Sequence, residues 1–376
     1  METKKIRVLE CIRQGQIGGG ESHLLSLVEN LNFTLYSPIV LSFTDGPMIQ
    51  QLQQMNIPVH IIPSTRAFDF SAWSKVKALM IEEQIDLVHA HGTRANSNVF
   101  KAASALKLPL VYTVHGWSFH VDQPWLVKKL RIMGERFLTS RSQQNICVSV
   151  SNQKTGIDTI PGFNSIVINN GINQKKFDAA GQYRDIRKEL NVPANACLVL
   201  FIARFTNHKQ PLVLIRAFIK ALEKNPDLYL LMVGDGDQKE EALQLVKLSN
   251  AGKQILFQPF GQDVPHLLAA ADIFVLPSLW EGLPIGLLEA MSMGKAIIAS
   301  NVDGTKDIIS SGQNGILIEL NNLEAELPQA ILNLASNESQ RKELGNMAIQ
   351  TVQNNFNAAQ MTRQIETVYQ KLLKKA

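Results

Sequence analysis

The feature that most limits what this chain can fold into is an alternation of short apolar, β-branched runs with longer amphipathic stretches, and it occurs twice. The first series is Ile6 to Ile12, Pro38 to Phe43, Val59 to Ile62, Asp86 to His91, Leu110 to His115 and Asn145 to Val150. Runs that are apolar throughout, with helical stretches between them, predict parallel strands covered on both faces: a doubly wound α/β domain. After a polar segment from Asn173 to Asn195 a second series begins with Cys197 to Ala203 and Leu228 to Gly234. It continues through Ile255 to Phe260, Asp272 to Pro277, Ala296 to Ser300 and Gly315 to Glu319. From about Leu323 the chain reads as consecutive helices, poor in Gly and rich in Leu, Ala, Glu and Gln.

A chain of 376 residues exceeds what one hydrophobic core usually serves. The expected division is a Rossmann-like domain over residues 1–172, a second over 173–355, and a C-terminal helix over 356–376 packing back on the first. Ligands of such domains meet the loops at the carboxyl ends of the strands, which predicts an active site in a cleft between the two.

Composition excludes several other classes. Apolar residues make up 45% and charged residues 19%, ordinary globular usage. No window approaches the roughly 20 apolar residues needed to span a bilayer. The charged start and the short run after it do not read as a signal peptide, so a cytoplasmic protein is expected. Cys11, Cys147 and Cys197 sit inside apolar runs and read as reduced core residues. The net charge of +4 comes from a cationic excess in the first half of the chain. That suits an anionic surface or acceptor and is too weak for duplex nucleic acid, so no nucleic-acid partner is expected.

The most informative segment runs from Leu276 to Gly294, Leu-Pro-Ser-Leu-Trp-Glu-Gly-Leu-Pro-Ile-Gly-Leu-Leu-Glu-Ala-Met-Ser-Met-Gly, between two expected strands. Pro284 suits the first turn of a helix and Gly294 a left-handed cap at its end. The backbone N–H groups of Ile285, Gly286 and Leu287 then form an anion site at the positive end of the helix dipole. Glu281 and Glu289 flank it, each able to accept hydrogen bonds from hydroxyls. Two carboxylates beside a phosphate cradle fit a ligand with two polyols joined by diphosphate, the layout of a nucleotide sugar. The plainer alternative makes Glu281 a helix cap and Glu289 a solvated helix residue.

This segment closely resembles the signature of the retaining GT-B glycosyltransferases, in which a second Glu follows the first by eight positions. The resemblance implies that Glu281 contacts the donor sugar and Glu289 the ribose hydroxyls, with Leu283 to Leu287 on the donor. It extends to Arg204 and Lys209, the cation pair that neutralises the diphosphate, although Ala203 and Phe205 stand where the family often has Gly and Leu. Two cations at a strand-to-helix turn also suit that charge on physical grounds. Gly18-Gly19-Gly20 resembles the family's first-domain glycine loop, which approaches donor phosphate (Gly19, Gly20) or acceptor (Gly18). It lacks the full dinucleotide fingerprint, which disfavours NAD. His115 occupies the place of a histidine that faces the donor sugar, and Trp117 follows it on the acceptor side. His89 and His91 read as structural, and Asp235-Gly-Asp237 as a turn and helix cap with no metal site.

Together these imply a GT-B fold and a metal-independent retaining hexosyltransferase with no cofactor. Glu281, His115, Arg204 and Lys209 would be its catalytic residues, a UDP-sugar its donor, and a saccharide or lipid-linked saccharide of surface polysaccharide or lipopolysaccharide its acceptor. Trp117, Phe119 and Trp125 ahead of Lys128, Lys129, Arg131, Arg136 and Arg141 suggest an anionic membrane surface as a further partner, on the inner face of the cytoplasmic membrane. An ordinary amphipathic helix with a solvated basic face is the competing reading of that stretch. A nucleotide-sugar epimerase of the same fold and a non-catalytic binding module stay open as alternatives.

Overall fold

The computed structural model describes residues 4–16, 18–120, 122–261 and 263–374. It divides into two compact units, one of residues 1–172 with 357–376 and one of residues 173–356.

Unit 1 carries seven strands: β1 (Ile6–Ile12), β2 (Tyr36–Ser42), β3 (Val59–Ile61), β4 (Leu87–His91), β5 (Leu110–Val114), β6 (Gln144–Cys147) and β7 (Ile166–Val167). They pair in parallel in the order β3-β2-β1-β4-β5-β6-β7. Between them run α1 (Gly19–Asn30), α2 (Pro47–Gln54), α3 (Phe70–Glu82), α4 (Thr93–Ala105), α5 (Trp125–Arg141) and α6 (Val150–Thr159). The expected strand from Asn145 to Val150 ends early, at Cys147. Ser149 instead caps α6, its side chain accepting from the Asn152 N–H at 3.1 Å. A capping serine outweighs the β preference of the two valines around it.

Unit 2 carries six strands: β8 (Cys197–Ile202), β9 (Leu228–Val233), β10 (Ile255–Gln258), β11 (Ile273–Leu276), β12 (Ala296–Ser300) and β13 (Ile316–Ile318). All are parallel, in the order β10-β9-β8-β11-β12-β13. Its helices are α7 (Ile186–Glu189), α8 (Pro211–Leu222), α9 (Lys239–Lys247), α10 (Val264–Ala270), α11 (Ile285–Ser292), α12 (Leu323–Ser336) and α13 (Glu338–Asn355). Phe201, Phe218, Leu230, Val275 and Ile298 lie at the centre of its core, all fully buried.

The last helix, α14 (Ala358–Leu373), belongs to unit 1. Its Met361, Ile365 and Tyr369 pack with Val8, Leu27, Tyr36 and Val111 in one buried cluster. The three cysteines are buried and unpaired. Burial pushes the Cys147 and Cys197 thiols up to about 12, which keeps them protonated. No helix among the described residues is long and apolar enough to cross a membrane.

Candidate active site

Each sheet has one point where the chain, having built outward to one side, returns to build the other. In unit 2 it lies between β8 and β11, and in unit 1 between β1 and β4. Loops leaving neighbouring strands in opposite directions open a crevice at such a point, the usual ligand position of an open α/β sheet.

At the unit 2 switch point, the loop after β8 brings Arg204 and then a short 3-10 turn, Asn207–Lys209. The loop after β11 brings Trp280 and Glu281 across from it. The Leu279 N–H donates to the His208 carbonyl at 2.8 Å, and the His208 and Trp280 rings stack at 4.1 Å. Lys209 Nζ donates to Glu281 Oε1. Two further loops close in through glycines. A Cβ at Gly234, whose φ is +142°, would meet the Ala203 carbonyl oxygen at 2.0 Å. One at Gly304, with φ +78°, would meet the Gly282 carbonyl oxygen at 2.3 Å. Only a residue without a side chain allows either approach.

Helix α11 begins just past this loop, with Pro284 as its N-cap and no side chain capping it. The Leu287 N–H is taken by the Pro284 carbonyl at 3.1 Å, which narrows the expected anion cradle to the N–H groups of Ile285 and Gly286. Gly294 closes the helix in the left-handed region, φ +67°. Glu289 is half-buried, and burial raises its carboxyl to about 7 against the opposing charge of Lys176. A carboxyl so placed titrates near neutrality and can accept or donate a hydrogen bond.

The unit 1 switch point is built from histidines. Gly18 is the extended N-cap of α1, and Gly20, in its first turn, lies under the His115 ring, where a Cβ would sit 3.5 Å from the ring carbon Cδ2. His91 Nδ1 meets His115 Nε2 at 3.1 Å, and His91 Nε2 meets Glu10 Oε2 at 2.9 Å. Glu10 is wholly buried in β1 and also accepts from the Tyr369 hydroxyl at 2.8 Å. His89 meets Tyr369 at 2.6 Å through Nδ1 and Thr113 at 2.7 Å through Nε2. Burial opposes ionisation of Glu10, but His89 and His91 outweigh it and hold the carboxyl well below the usual carboxylate range. An ionised Glu10 requires the His91 proton on Nε2. His91 Nδ1 must then accept, which places the His115 proton on Nε2.

Comparison with known proteins places this architecture. Residues 182–351 match the sequence profile of glycosyl transferases group 1, and residues 17–176 that of glycosyltransferase family 4. The chain belongs to the group 1 glycosyltransferases, with the GT-B fold. It is 28% identical to UDP-Gal:alpha-D-GlcNAc-diphosphoundecaprenol alpha-1,3-galactosyltransferase of Escherichia coli, over 80% of this chain and 79% of that one. It is 26% identical to N-acetyl-alpha-D-glucosaminyl L-malate synthase of Bacillus anthracis, over 82% and 80%. Among solved structures, HepE of Anabaena in complex with UDP and glucose superimposes with a TM-score of 0.85 at 23% identity, covering 97% of this chain and all of that one. The epimerase alternative gains no support from these relatives.

Within this group 1 glycosyltransferase the sequence-predicted residues fall into two sets. Arg204, Lys209, Glu281, Leu283, Pro284, Ile285, Gly286, Leu287 and Glu289 surround the unit 2 switch point, and Gly18, Gly19, Gly20 and His115 the unit 1 switch point. Two expectations need correction. Trp117 is 5% exposed, stacked on Phe119, with its indole N–H on the Asn152 carbonyl at 2.8 Å, so it is a core residue with no face for an acceptor. Glu281 also pairs with Lys209, because β8 and β11 are neighbours in the sheet. Asp235 makes the expected turn, accepting from the Gly236 N–H at 2.8 Å, but the N-cap of α9 is Gln238. Sequence reasoning passed over Glu10, His23 and Asn170. The available signal was a carboxylate in the middle of an apolar strand, which needs buried partners.

Proposed function

We propose that this glycosyltransferase moves a hexose from a UDP-linked donor onto a saccharide or lipid-linked saccharide, with retention of anomeric configuration. The observation that carries the reading is the convergence of Lys209 and Glu281 from neighbouring strands, next to Arg204 and the start of α11. Unit 2 is the donor-binding unit: Ile285 and Gly286 N–H groups receive phosphate oxygens, Glu281 the sugar hydroxyls and Glu289 the ribose. In unit 1, Gly19 and Gly20 serve the donor phosphate and His115 the sugar, while Gly18 and His115 border the acceptor. The bond from the anomeric carbon to the diphosphate oxygen breaks as the bond to the acceptor oxygen forms on the same face. The acceptor proton passes to the departing diphosphate, and Arg204 and Lys209 stabilise the charge left there.

UDP in the HepE complex and the UDP-galactose and diphosphoundecaprenol in the Escherichia coli relative's name support these donor and acceptor classes. Helix α5 supports docking of an otherwise soluble, cytoplasmic enzyme on an anionic membrane. Trp125 is 74% exposed and Leu130 and Met133 each 59%, interleaved with Lys128, Lys129 and Arg131. Apolar side chains exposed beside cations suit a lipid headgroup interface.

The test is incubation with a panel of nucleotide sugars, followed by mass spectrometry and transfer assays on the wild type and on Glu281→Ala. The UDP-sugar is expected to bind, and the folded variant to lose on the order of 100-fold in transfer, the usual effect of removing one preorganised polar group. Near-normal turnover by a folded Glu281→Ala protein overturns the assignment.

A further inference from the structure

Three histidines of unit 1 come together from separate elements: His23 from α1, His91 from the end of β4 and His115 from the residue after β5. One ring nitrogen from each lies within 4.8 Å of those of the other two. Ligands ~2.0–2.1 Å from a tetrahedral metal lie ~3.3 Å from one another, with the imidazole centres ~5 Å apart. Here His91 Nδ1 and His115 Nε2 are 3.1 Å apart, and the ring centres stand 5.4, 4.7 and 5.4 Å apart.

The outer contacts suit the same arrangement. A histidine ligand normally gives its second nitrogen to a carboxylate or carbonyl, which fixes the tautomer. His91 Nε2 rests on Glu10 at 2.9 Å and His23 Nδ1 on Asn170 Oδ1 at 2.9 Å, so each ring turns its remaining lone pair inward. His23 is 1% exposed, and its Nε2 has no hydrogen-bond partner among the described residues. That orphaned buried nitrogen is an observation separate from the clustering. Glu10 also places a fixed negative charge one ring away from the centre.

We propose that His23, His91 and His115 form a binding site for a divalent transition metal of the zinc class, Zn²⁺, Co²⁺, Ni²⁺ or Cu²⁺. Three imidazoles select these over Mg²⁺ and Ca²⁺, which require oxygen ligands. The ion takes the place of the proton shared by His91 and His115. His115 is half-buried, and three imidazole ligands leave the fourth tetrahedral position for water. The metal is an inhibitor and not a cofactor: a His115 ring bound to it is withdrawn from the donor sugar. That consequence, though not the binding itself, rests on the function proposed above.

The full chain, stripped with EDTA, is titrated with Co²⁺. One equivalent is expected to bind with the visible bands of tetrahedral cobalt, to be displaced by Zn²⁺, and to raise the melting temperature of unit 1. His115→Ala and His23→Gln each lower the affinity at least 100-fold, Glu10→Gln by about 10–100-fold, and His60→Ala not at all. Zinc inhibits transfer and EDTA restores it. Absence of stoichiometric cobalt uptake by the folded chain, or undiminished uptake by folded His115→Ala, overturns the site. If His23→Gln does not fold, His115→Ala decides, since His115 is the half-buried member of the three. Cobalt uptake without any transfer activity upholds the site and counts only against the proposed function.

Discussion

Acidification should loosen unit 1 while tightening unit 2. Burial holds His23 at about 3 and His91 at about 4, against an ordinary value of 6.5, with neighbouring histidines adding to the depression. In the unfolded chain both titrate near 6.5, so below that pH the unfolded state binds more protons and stability falls with pH. Between pH 6.5 and 5.0 two such groups together remove about 3 kcal/mol, at 1.36 kcal/mol per pKa unit. His115 is also pushed well below its usual value by burial and adds in the same direction. Glu10, held low, adds only below about pH 4.5. Glu289 has the opposite sign: raised to about 7 from 4.5, it binds its proton in the folded state first. Unit 2 therefore gains about 1 kcal/mol over the same interval, allowing for partial solvation. Hydrogen exchange followed by mass spectrometry reads both units at once. After correction for intrinsic rates, peptides spanning β1 and β4 should lose on the order of 100-fold in protection from pH 6.5 to 5.0, while those from β8 and β11 lose none. His23→Gln should remove about half of the loss. A β1 and β4 response below tenfold, or an equal loss in β8 and β11, refutes the assignment of these histidines as neutral and buried.

Two predictions concern the enzyme at work. Transfer should persist in excess EDTA and in the Asp235→Asn/Asp237→Asn double variant, while Arg204→Ala loses on the order of 100-fold, measured as initial rates; activity that required added magnesium or manganese and Asp235 would reverse the mechanism. The protein should pellet with anionic vesicles at low salt and be released near 0.5 M salt, where the screening length is about 4–5 Å. Changing Lys128, Lys129 and Arg131 together to Glu should abolish pelleting, and equal pelleting by that variant would remove the membrane role of α5.

Much of the architecture could be read from the chain because its strands are buried on both faces and therefore continuous in apolar residues. The two-residue β7 carries too little pattern to register, and Val150 looked like strand because the cap at Ser149 acts through geometry and not hydrophobicity. Glu281, Arg204 and Lys209 were singled out in the chain by their resemblance to the family's pattern. Their contact was not legible: Lys209 reaches Glu281 only because β11 lies next to β8, a matter of strand order across a sheet. The same reason hid the histidine cluster. His89 lies opposite Glu10 in the register between β1 and β4, and His91 shares its face two residues on, but nothing local in either segment announces the other. Trp117 misled in the other direction, since a place just after His115 suits the acceptor side and a core equally well.

The Tyr369 hydroxyl on Glu10 ties α14 to the first strand of the chain, across the whole of unit 2 in sequence. Ile172, the last residue of unit 1 before unit 2, pairs with Asn357, the first residue of unit 1 after it. A ribosome therefore releases β1, with its buried carboxylate, long before the hydroxyl that satisfies it has been made. Unit 2 is one continuous stretch of chain, whereas unit 1 is completed only by its last segment, α14. Until α14 is made, Val8, Leu27 and Tyr36 lack the part of their buried cluster that Met361, Ile365 and Tyr369 supply. A chain cut short before Ala358 would leave Glu10 without the Tyr369 hydroxyl and that cluster open.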